Sequence, residues 1–227
     1  MTQEIKLYRY DGACSFAPHA LLRHLAVPFH DVKMKEGPNG VVPADGSFTR
    51  AEYLQIHPSG YVPALTVDGH AVTEAPAVLA MIARLAPDRE QGLRLLGETD
   101  LEQAEVIHWM AWLSGTLHSQ GFAMYWRPER FVKDKTDYYP AVKQRGAEII
   151  KASFERIEKR LLGKSYAVGD HLTLADFNLY FFWGWGKQQG FSMDENYPNW
   201  GKVLKRVEEL EGVRKAMEVE GFSLYFS

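Results

Sequence analysis

Cys14 is the only cysteine among the 227 residues, and it stands where a predicted strand gives way to a predicted helix. The strand pattern covers 5–10, and the helix pattern covers 15–26 after the turn residues Asp11 to Ala13. A helix N-terminus has unpaired N–H groups and partial positive charge, so it can lower a thiol pKa or hold the sulfur of a bound thiol. The opposing interpretation, a small buried side chain without chemistry, stays open on this residue alone.

Two further segments carry groups able to hold a peptide-like ligand. Pro63 precedes the strand pattern 64–67, and a cis Val62-Pro63 bond would turn the backbone N–H and C=O of Val62 toward an extended ligand. The ordinary trans bond would merely begin the strand. At the next helix start, the N–H groups of Glu74 and Ala75 can bind a carboxylate while the Glu74 side chain binds an amino group. The simpler alternative is that Glu74 only complements the helix dipole.

The elements that must position these groups alternate between strand and helix in the first part of the chain. Apolar residues there alternate at every second position in the strand segments and recur every three to four positions in the helix segments. Gly, Pro and Asn separate these segments. An Asp-Gly pair between two short apolar runs predicts a hairpin. In chain order we expect a strand over 5–10, a helix over 15–26, a strand over 29–34, a loop over 37–47, a helix over 50–54, strands over 64–67 and 71–73 joined by Asp68-Gly69, and a helix over 77–85.

The second part of the chain has helical periodicity only. Thr173 and Asp176 match a capping box at one helix start, which we interpret as structural because a lone carboxylate there is usually a cap. The predicted fold class is therefore α/β plus all-α, with an α/β unit over 1–86, a linker over 87–97 and a helical bundle over 98–227. The expected helices of the bundle cover about 101–125, 138–162, 174–189 and 200–219.

Composition limits the kind of protein. With 46% apolar and 13% aromatic residues the chain can bury a sizeable core, and one cysteine excludes an intrachain disulfide. We find no secretory leader pattern and no run near eighteen apolar residues, so a cytoplasmic protein that does not enter membranes is expected. A formal charge of −3 provides no broad basic surface and argues against nucleic-acid binding.

Taken together, these residues resemble the thioredoxin-like domain of a cytosolic-type glutathione transferase, most closely of the bacterial beta class, which has a cysteine at this place. The second half resembles the helical domain of the same class. The resemblance spans nearly the whole chain and rests on Ala13-Cys14-Ser15 with Pro18-His19, Tyr53-Leu54 with 58–65, Thr73-Glu74-Ala75 with Ala77, Trp109 with Leu117-His118 and Gly121-Phe122, and Thr173 to Asp176.

The resemblance implies roles for three catalytic residues. Cys14 would hold the sulfur of glutathione, with the hydroxyl of Ser15 as a second donor. His118 would face the cysteine from the first helix of the helical domain and stabilise charge on sulfur as a neutral donor or as a cation. Without the resemblance, a histidine among apolar neighbours is as readily a hydrogen-bonded interface residue.

The resemblance also implies how the chain binds glutathione. Val62, between Tyr61 and a cis Pro63, would pair with the cysteinyl backbone. Glu74 and the N–H of Ala75 would bind the γ-glutamyl head. The acceptor pocket would be lined by aromatic residues, each of which is otherwise a reasonable core residue: Phe122, Tyr125, Trp126 and Trp185.

Several family contacts are missing from this sequence. Two polar residues that the family often supplies appear as Ala111 and Gly115, and the basic residue after the histidine appears as Ser119. The loop over 35–49 is longer than expected, so the group that meets the glycyl carboxylate is left among three basic residues, Lys33, Lys35 and Arg50.

The implied activity is transfer of the glutathione thiolate to an apolar electrophile in detoxification, by a homodimer that uses glutathione as cosubstrate and no metal. A second hypothesis is thiol-disulfide exchange through Cys14, for which the chain has no resolving cysteine and glutathione would have to take that role. A third is a noncatalytic ligand-binding or adaptor protein of the same fold, favoured by the missing polar contacts.

Overall fold

A computed structural model describes residues 3–226, and its first part is a five-stranded mixed sheet. The strand order is β3-β2-β1-β4-β5, with β1 and β2 parallel and the other neighbours antiparallel. The predicted α/β pattern of this part is confirmed. Its elements are β1 (Ile5–Arg9), α1 (Phe16–His24), β2 (His30–Gly37), β3 (Gly40–Pro43), α2 (Arg50–Ile56), β4 (Ala64–Val67), β5 (His70–Thr73) and α3 (Ala75–Leu85).

Alternation along β1 divides the sheet between two apolar clusters. Leu7 lies in the large core with helices α1 and α3, whereas Tyr8 lies in a small cluster with Tyr53 of α2. Successive side chains of a strand point to opposite faces, so the helices cover both sides of the sheet. At one end of the sheet the Asp68-Gly69 turn closes the predicted hairpin, with φ of 50° and 82° at its two residues.

The prediction of a continuous loop over 37–47 is wrong. Strand β2 extends to Gly37, and β3 pairs antiparallel with it from Gly40, so Pro38-Asn39 alone forms the turn. Only Val41 and Val42 are aliphatic in β3, which is too short a run to stand out among Gly, Pro and Asn.

The second part is helical, and no strand follows β5 among the residues up to 226. Within that described range, no helix has both the length and the apolarity needed to cross a membrane. Part of the predicted linker is itself helical, because Asp88 caps a short helix there. The helices are α4 (Arg89–Arg94), α5 (Asp100–Trp112), a π-helix (Leu113–Phe122), α6 (Ala123–Trp126), α7 (Glu129–Val132), a 3₁₀ turn (Thr136–Tyr138), α8 (Tyr139–Arg160), α9 (Leu174–Gln188), α10 (Met193–Asn196), α11 (Pro198–Glu208) and α12 (Glu211–Glu220).

The helix predicted over 101–125 changes its hydrogen-bonding period midway. Its central ten residues, Leu113–Phe122, form a π-helix, a geometry that often occurs at functional sites. Two glycines allow α8 to approach this segment closely. A Cβ on Gly121 would lie 3.0 Å from Ile150, and one on Gly146 would lie 2.8 Å from the Gly121 carbonyl oxygen.

The last predicted helix is two helices. Leu210 has an extended backbone (ψ 126°) between α11 and α12, which redirects the chain so that α12 packs against α1. A Cβ on Gly212 would lie 2.3 Å from the backbone nitrogen of His24, so only glycine permits this approach. The C-terminal helix therefore returns to the first unit, beside the loop that precedes α1.

The capping box predicted at the start of α9 is present. The Thr173 N–H and hydroxyl both donate to Oδ2 of Asp176, at 2.8 and 3.0 Å, and Ala167 N–H donates to Oδ1 at 2.8 Å. Asp176 is fully buried and all its acceptor bonds are to the protein. It is a structural cap, as its position predicted.

Candidate active site

Cys14 lies in the loop between β1 and α1, one residue before the helix cap Ser15. The thiol is partly buried and donates to the backbone carbonyl oxygen of Val62, with Sγ 3.3 Å from that oxygen. The backbone N–H groups of Cys14 and Ser15 interact favourably with the thiolate form and so act to lower the pKa of the thiol. Two N–H groups of the loop and the carbonyl oxygen of Val62 thus surround the sulfur of Cys14.

Burial raises the pKa of the Cys14 thiol to about 12, and the negative charge of Glu74 acts in the same direction. The N–H groups of Cys14 and Ser15 oppose this shift and are outweighed. The groups at the helix start thus act in the direction that the sequence predicts, but in the unliganded protein burial has the larger effect on the thiol pKa. At neutral pH the unliganded site therefore favours the protonated thiol of Cys14, which can donate a hydrogen bond.

Ser15 does not have the geometry expected of a second donor to sulfur. Its side chain is fully buried, accepts from the Tyr10 N–H at 3.0 Å and donates its only proton to the Tyr10 carbonyl at 3.1 Å. These two bonds close the loop on itself. The hydroxyl of Ser15 shapes the loop, and the N–H of Ser15 is the group directed at the sulfur.

The Val62-Pro63 peptide bond is cis, so of the two alternatives the less frequent one holds. The preceding residue, Tyr61, is held by its backbone, because the Tyr53 hydroxyl donates to the Tyr61 carbonyl oxygen at 2.6 Å. The Tyr61 ring is 47% exposed. Residues 61–63 therefore present the carbonyl of Val62 to Cys14 and an aromatic face to solvent.

Glu74 precedes α3 with a backbone conformation that is rare for a residue with a side chain. Its φ is 69°, which costs on the order of 1–3 kcal/mol. Its side chain is exposed and makes no cap hydrogen bond, so it does not serve as an ordinary helix cap. The carboxylate lies near enough to Cys14 to raise the pKa of that thiol. Glu74 and the N–H of Ala75 thus stand beside Cys14 with free capacity to bind an amino acid head group.

Gly12, two residues before Cys14, is held on both sides by the C-terminal half of the chain. Its N–H donates to Oε2 of Glu220 at 2.8 Å, and its carbonyl accepts from the Trp185 Nε1–H at 2.8 Å. The φ of Gly12 is 70°, and a Cβ here would lie 2.8 Å from Cζ of Phe222. Only glycine fits this position, and the contacts fix where the Cys14 loop lies.

The carboxylate that holds Gly12 is itself part of a buried network. Oε1 of Glu220 lies 2.8 Å from Nδ1 of His19, and Arg23 donates to Nε2 of the same ring at 2.7 Å. Arginine can only donate, so Nε2 accepts and Nδ1 carries the proton given to Glu220. The guanidinium of Arg9 stands 3.9 Å from Oε1 and compensates its charge. Glu220 is thus fixed before it binds Gly12.

His118 lies in the π-helix and stacks on Trp185, with ring centroids 5.3 Å apart. Burial lowers the pKa of His118 to about 4, and the positive charge of Arg130 adds to the shift. Of the two expected forms, the neutral imidazole is therefore the one present at neutral pH. Since Trp185 binds Gly12, His118 is connected to the Cys14 loop through a single side chain.

The four predicted pocket aromatics are close together, but they are not equivalent. Phe122 is only 1% exposed and packs against Trp126 and Trp185, with centroids at 4.8 and 4.7 Å. Phe122 therefore has almost no exposed surface in the unliganded protein, and its predicted place in the pocket stays a prediction. Tyr125 and Trp126 are half-buried and keep surface available, whereas Trp185 is committed to Gly12 and His118.

The three basic candidates for the glycyl carboxylate are all engaged elsewhere. Lys33 pairs with Asp11, Lys35 donates to the carbonyl of Ala44 at 3.1 Å, and Arg50 donates to the carbonyl of Val41 at 3.2 Å. None of these contacts distinguishes one candidate as the glycyl-binding group.

Ala111 and Gly115 stand where the family often has polar residues. Together with Glu74 they line a groove between α3, α4 and α5. The groove has a volume of about 1090 Å³, and a Cβ added to Gly115 would meet nothing within 4 Å. The small residues therefore leave open space on the helical side of Glu74.

Outside this site, three potential metal ligands come together, with their ligand atoms within 4.8 Å of one another: Glu98, Glu102 and His171. Glu102 accepts the N–H groups of Glu98 and Thr99 in a capping box, and Glu98 pairs with Arg94 at 2.6 Å. Both carboxylates thus have structural partners.

Sequence reasoning missed three residues that the structure brings to the site. Gly12 carried a detectable signal, since a glycine within a short turn often requires positive φ. Glu220 carried none, because it is 208 residues from its partner Gly12. Arg130, whose guanidinium carbon lies 4.6 Å from the centroid of the Tyr61 ring, was also without a local signal.

A mixed β-α sheet with a cysteine at the first helix start, followed by helices, defines a thioredoxin-like protein with an added helical domain. The family model for the glutathione S-transferase C-terminal domain matches residues 117–211. Glutathione S-transferase GST-4.5 of Xanthomonas campestris is 30% identical over 194 residues, which cover 83% of this chain and 86% of that protein. The chain belongs to the glutathione S-transferase family.

Solved structures agree with this assignment. The bacterial beta class glutathione S-transferase of Sphingomonas chungbukensis is 30% identical, with a TM-score of 0.79 over 96% of this chain and all of that one. A sphingomonad glutathione S-transferase complexed with glutathione is 29% identical, with a TM-score of 0.77 over 96% of this chain and all of that one. These proteins have the same fold from end to end.

The raised pKa of Cys14 predicts slow alkylation of the unliganded protein. At pH 8 the rate with iodoacetamide should be at least about a hundredfold below that of free glutathione, because so little thiolate is present. Cys14 is the only cysteine, so intact-mass spectrometry over time measures it directly. A rate equal to that of free glutathione would contradict the raised pKa.

The contact between Glu220 and Gly12 predicts a local effect of Glu220→Gln. A glutamine side chain has one acceptor oxygen, so it cannot accept from both Gly12 and His19. Losing one of these buried hydrogen bonds should lower the free energy of unfolding by about 2 kcal/mol. The loosened loop should hydrate Cys14, lower its pKa and speed its alkylation several-fold.

The matched control is Glu158→Gln, since Glu158 accepts the N–H groups of Asn199 and Trp200, both at 3.0 Å, away from the Cys14 loop. We expect this variant to lose stability without faster alkylation. Equal acceleration in both variants would indicate general loosening and would refute a specific role for Glu220.

Proposed function

We propose that the protein conjugates glutathione to small electrophiles that are largely apolar, using Cys14 as a hydrogen-bond donor to the glutathione sulfur. The observation that carries this proposal is the protonated thiol of Cys14 beside two backbone N–H groups. The two N–H groups act on Sγ of Cys14 and make its S–H a better donor, and a donor placed beside a bound sulfur favours a negative charge on that sulfur. A glutathione thiolate placed there would be stabilised in its nucleophilic form.

Binding of glutathione would release the Cys14 thiol for this task. In the unliganded site the thiol donates to the Val62 carbonyl. The cysteinyl backbone of glutathione would take over Val62, as the resemblance implies, and the γ-glutamyl head would bind Glu74 and the N–H of Ala75. The S–H of Cys14 would then turn to the incoming sulfur.

The reaction follows from this arrangement. The glutathione thiol loses its proton to solvent, and its thiolate forms a carbon–sulfur bond to the acceptor while a halide or other leaving group departs with its electron pair. His118 is a neutral imidazole, so it provides a hydrogen bond or an aromatic face without adding a full charge. Tyr125 and Trp126 offer the exposed aromatic surface for an acceptor.

The same observations disfavour the other two hypotheses. Thiol-disulfide exchange needs Cys14 as thiolate, and burial raises its pKa far above neutrality. The strained backbone at Glu74, which costs stability, disfavours a pure adaptor, and measured turnover separates an enzyme from a noncatalytic ligand-binding protein. We therefore propose conjugation as the activity.

Replacing Cys14 by serine and by alanine tests the proposal. Serine keeps a donor, so Cys14→Ser should retain conjugation within about tenfold, whereas Cys14→Ala should lose about a hundredfold in kcat/KM at pH 6.5. The measurement is conjugation of chlorodinitrobenzene, with glutathione binding followed by calorimetry. Glutathione-dependent exchange by the wild type that Cys14→Ser abolishes, without conjugation, would establish the oxidoreductase instead.

We also propose a homodimer that covers the groove between α3, α4 and α5. Ile107 of α5 lines this groove and is 68% exposed, and Leu93 is another exposed apolar residue there. Charged residues of both signs surround them. An exposed apolar surface with a polar rim is typical of a subunit interface.

Sedimentation should give about twice the monomer mass of 25.8 kDa. Ile107→Glu should produce monomers, because it places a charge in the covered surface. Leu162→Glu is the control, since Leu162 is equally exposed (69%) at the end of α8, away from the groove. A wild-type monomer, or dissociation by both variants, would argue against this interface.

A further inference from the structure

We propose that Arg130 selects acceptors that carry a negatively charged substituent, by binding that group at the mouth of the active site. This rests on the conjugating activity proposed above and adds a substrate class to it. The chemistry is recognition of a carboxylate or similar anion by a guanidinium group next to aromatic surface.

Arg130 reaches across the site from the helical half. It lies in α7, and its guanidinium carbon is 4.6 Å from the centroid of the Tyr61 ring, a cation–π contact. Tyr61 directly precedes Val62, whose carbonyl oxygen accepts the Cys14 thiol. The stacked ring keeps the cation over the segment expected to hold the glutathione backbone.

The same guanidinium belongs to the half of the chain that supplies the acceptor side. Arg130 lies four residues after Trp126, in the next short helix, and its charge contributes to the lowered pKa of His118. His118 stacks on Trp185, and Trp126 packs on the same indole with centroids 4.4 Å apart. A planar acceptor lying against Trp126 would thus have a positive charge at its edge.

The charge of Arg130 is available for a ligand. Among residues 3–226, the guanidinium makes no hydrogen bond and no ion pair, and it contacts the Tyr61 ring. A cation–π contact leaves the N–H donors at the edge of the guanidinium free. The three basic residues considered for the glycyl carboxylate are all engaged by protein acceptors.

Two sources of carboxylate are compatible with this geometry, the acceptor and the glycyl end of glutathione. The acceptor is favoured, because Arg130 follows Trp126 in the helical half, whereas Val62, Glu74 and Ala75, which are expected to hold the backbone and γ-glutamyl head of glutathione, come from the α/β unit.

The test compares two acceptors with the same reacting carbon, neutral chlorodinitrobenzene and its carboxylate analogue chlorodinitrobenzoate. Arg130→Gln should lower kcat/KM for chlorodinitrobenzoate about tenfold and change that for chlorodinitrobenzene less than about twofold. Arg130→Lys should recover part of the loss. High salt should reduce the wild-type preference for the anionic acceptor and leave Arg130→Gln unaffected.

The control is Arg127→Gln, which removes the same charge from an exposed neighbour just before α7. Equal losses with both acceptors, or equal losses in both variants, would overturn the proposal. A raised KM for glutathione with both acceptors would assign Arg130 to the glycyl carboxylate and would also overturn it.

A failure of the conjugating activity itself is recognised separately. If the wild type turns over neither acceptor, calorimetry with the two corresponding glutathione conjugates still measures discrimination. The carboxylate conjugate should bind the wild type about tenfold more tightly than it binds Arg130→Gln, with no such difference for the neutral conjugate. Equal affinities would overturn the proposal independently of turnover.

Discussion

The hydrogen bonds that Glu220 and Trp185 make to Gly12 connect the two halves of this protein at the point where its chemistry is expected. Both peptide groups next to the Cys14 turn are held by residues of the helical half, so the sulfur site is complete only when the halves are packed. A buried bond of this kind contributes about 1 kcal/mol net, but losing one partner costs more. Stability and site geometry are therefore linked through one glycine.

The arrangement around Cys14 separates two properties of a thiol, its nucleophilicity as a thiolate and its ability to donate a hydrogen bond when protonated. Burial and the charge of Glu74 raise the pKa of Cys14, which favours the protonated thiol and its ability to donate a hydrogen bond over the nucleophilic thiolate. A carboxylate placed to bind an amino group necessarily disfavours a nearby thiolate when the site is empty. When an α-ammonium group pairs with Glu74, much of that repulsion is cancelled. Ligand binding would thus make the same site more tolerant of negative charge on sulfur.

Local patterns predicted much of the fold, and long-range contacts determined the rest. The Asp68-Gly69 hairpin was predictable, because that dipeptide tolerates positive φ at both turn residues. The π-helix was not, because it accompanies the close approach of α8 at Gly121 and Gly146. Similarly, the sequence indicated Cys14 and the cis Val62-Pro63 bond through a family resemblance, whereas no local pattern relates Gly12 to Glu220.

The small residues Ala111 and Gly115 and the cation of Arg130 lie on different sides of the candidate site. Ala111 and Gly115 have little side-chain volume, so the groove beside Glu74 is open. Arg130 carries a positive charge that acts on His118. The backbone groups of the Cys14 turn and of Val62 are unaffected by either change, since they depend on chain geometry. Under the proposed function, acceptor preference would therefore be able to change without altering the donors at the Cys14 turn, because the two would depend on separate elements.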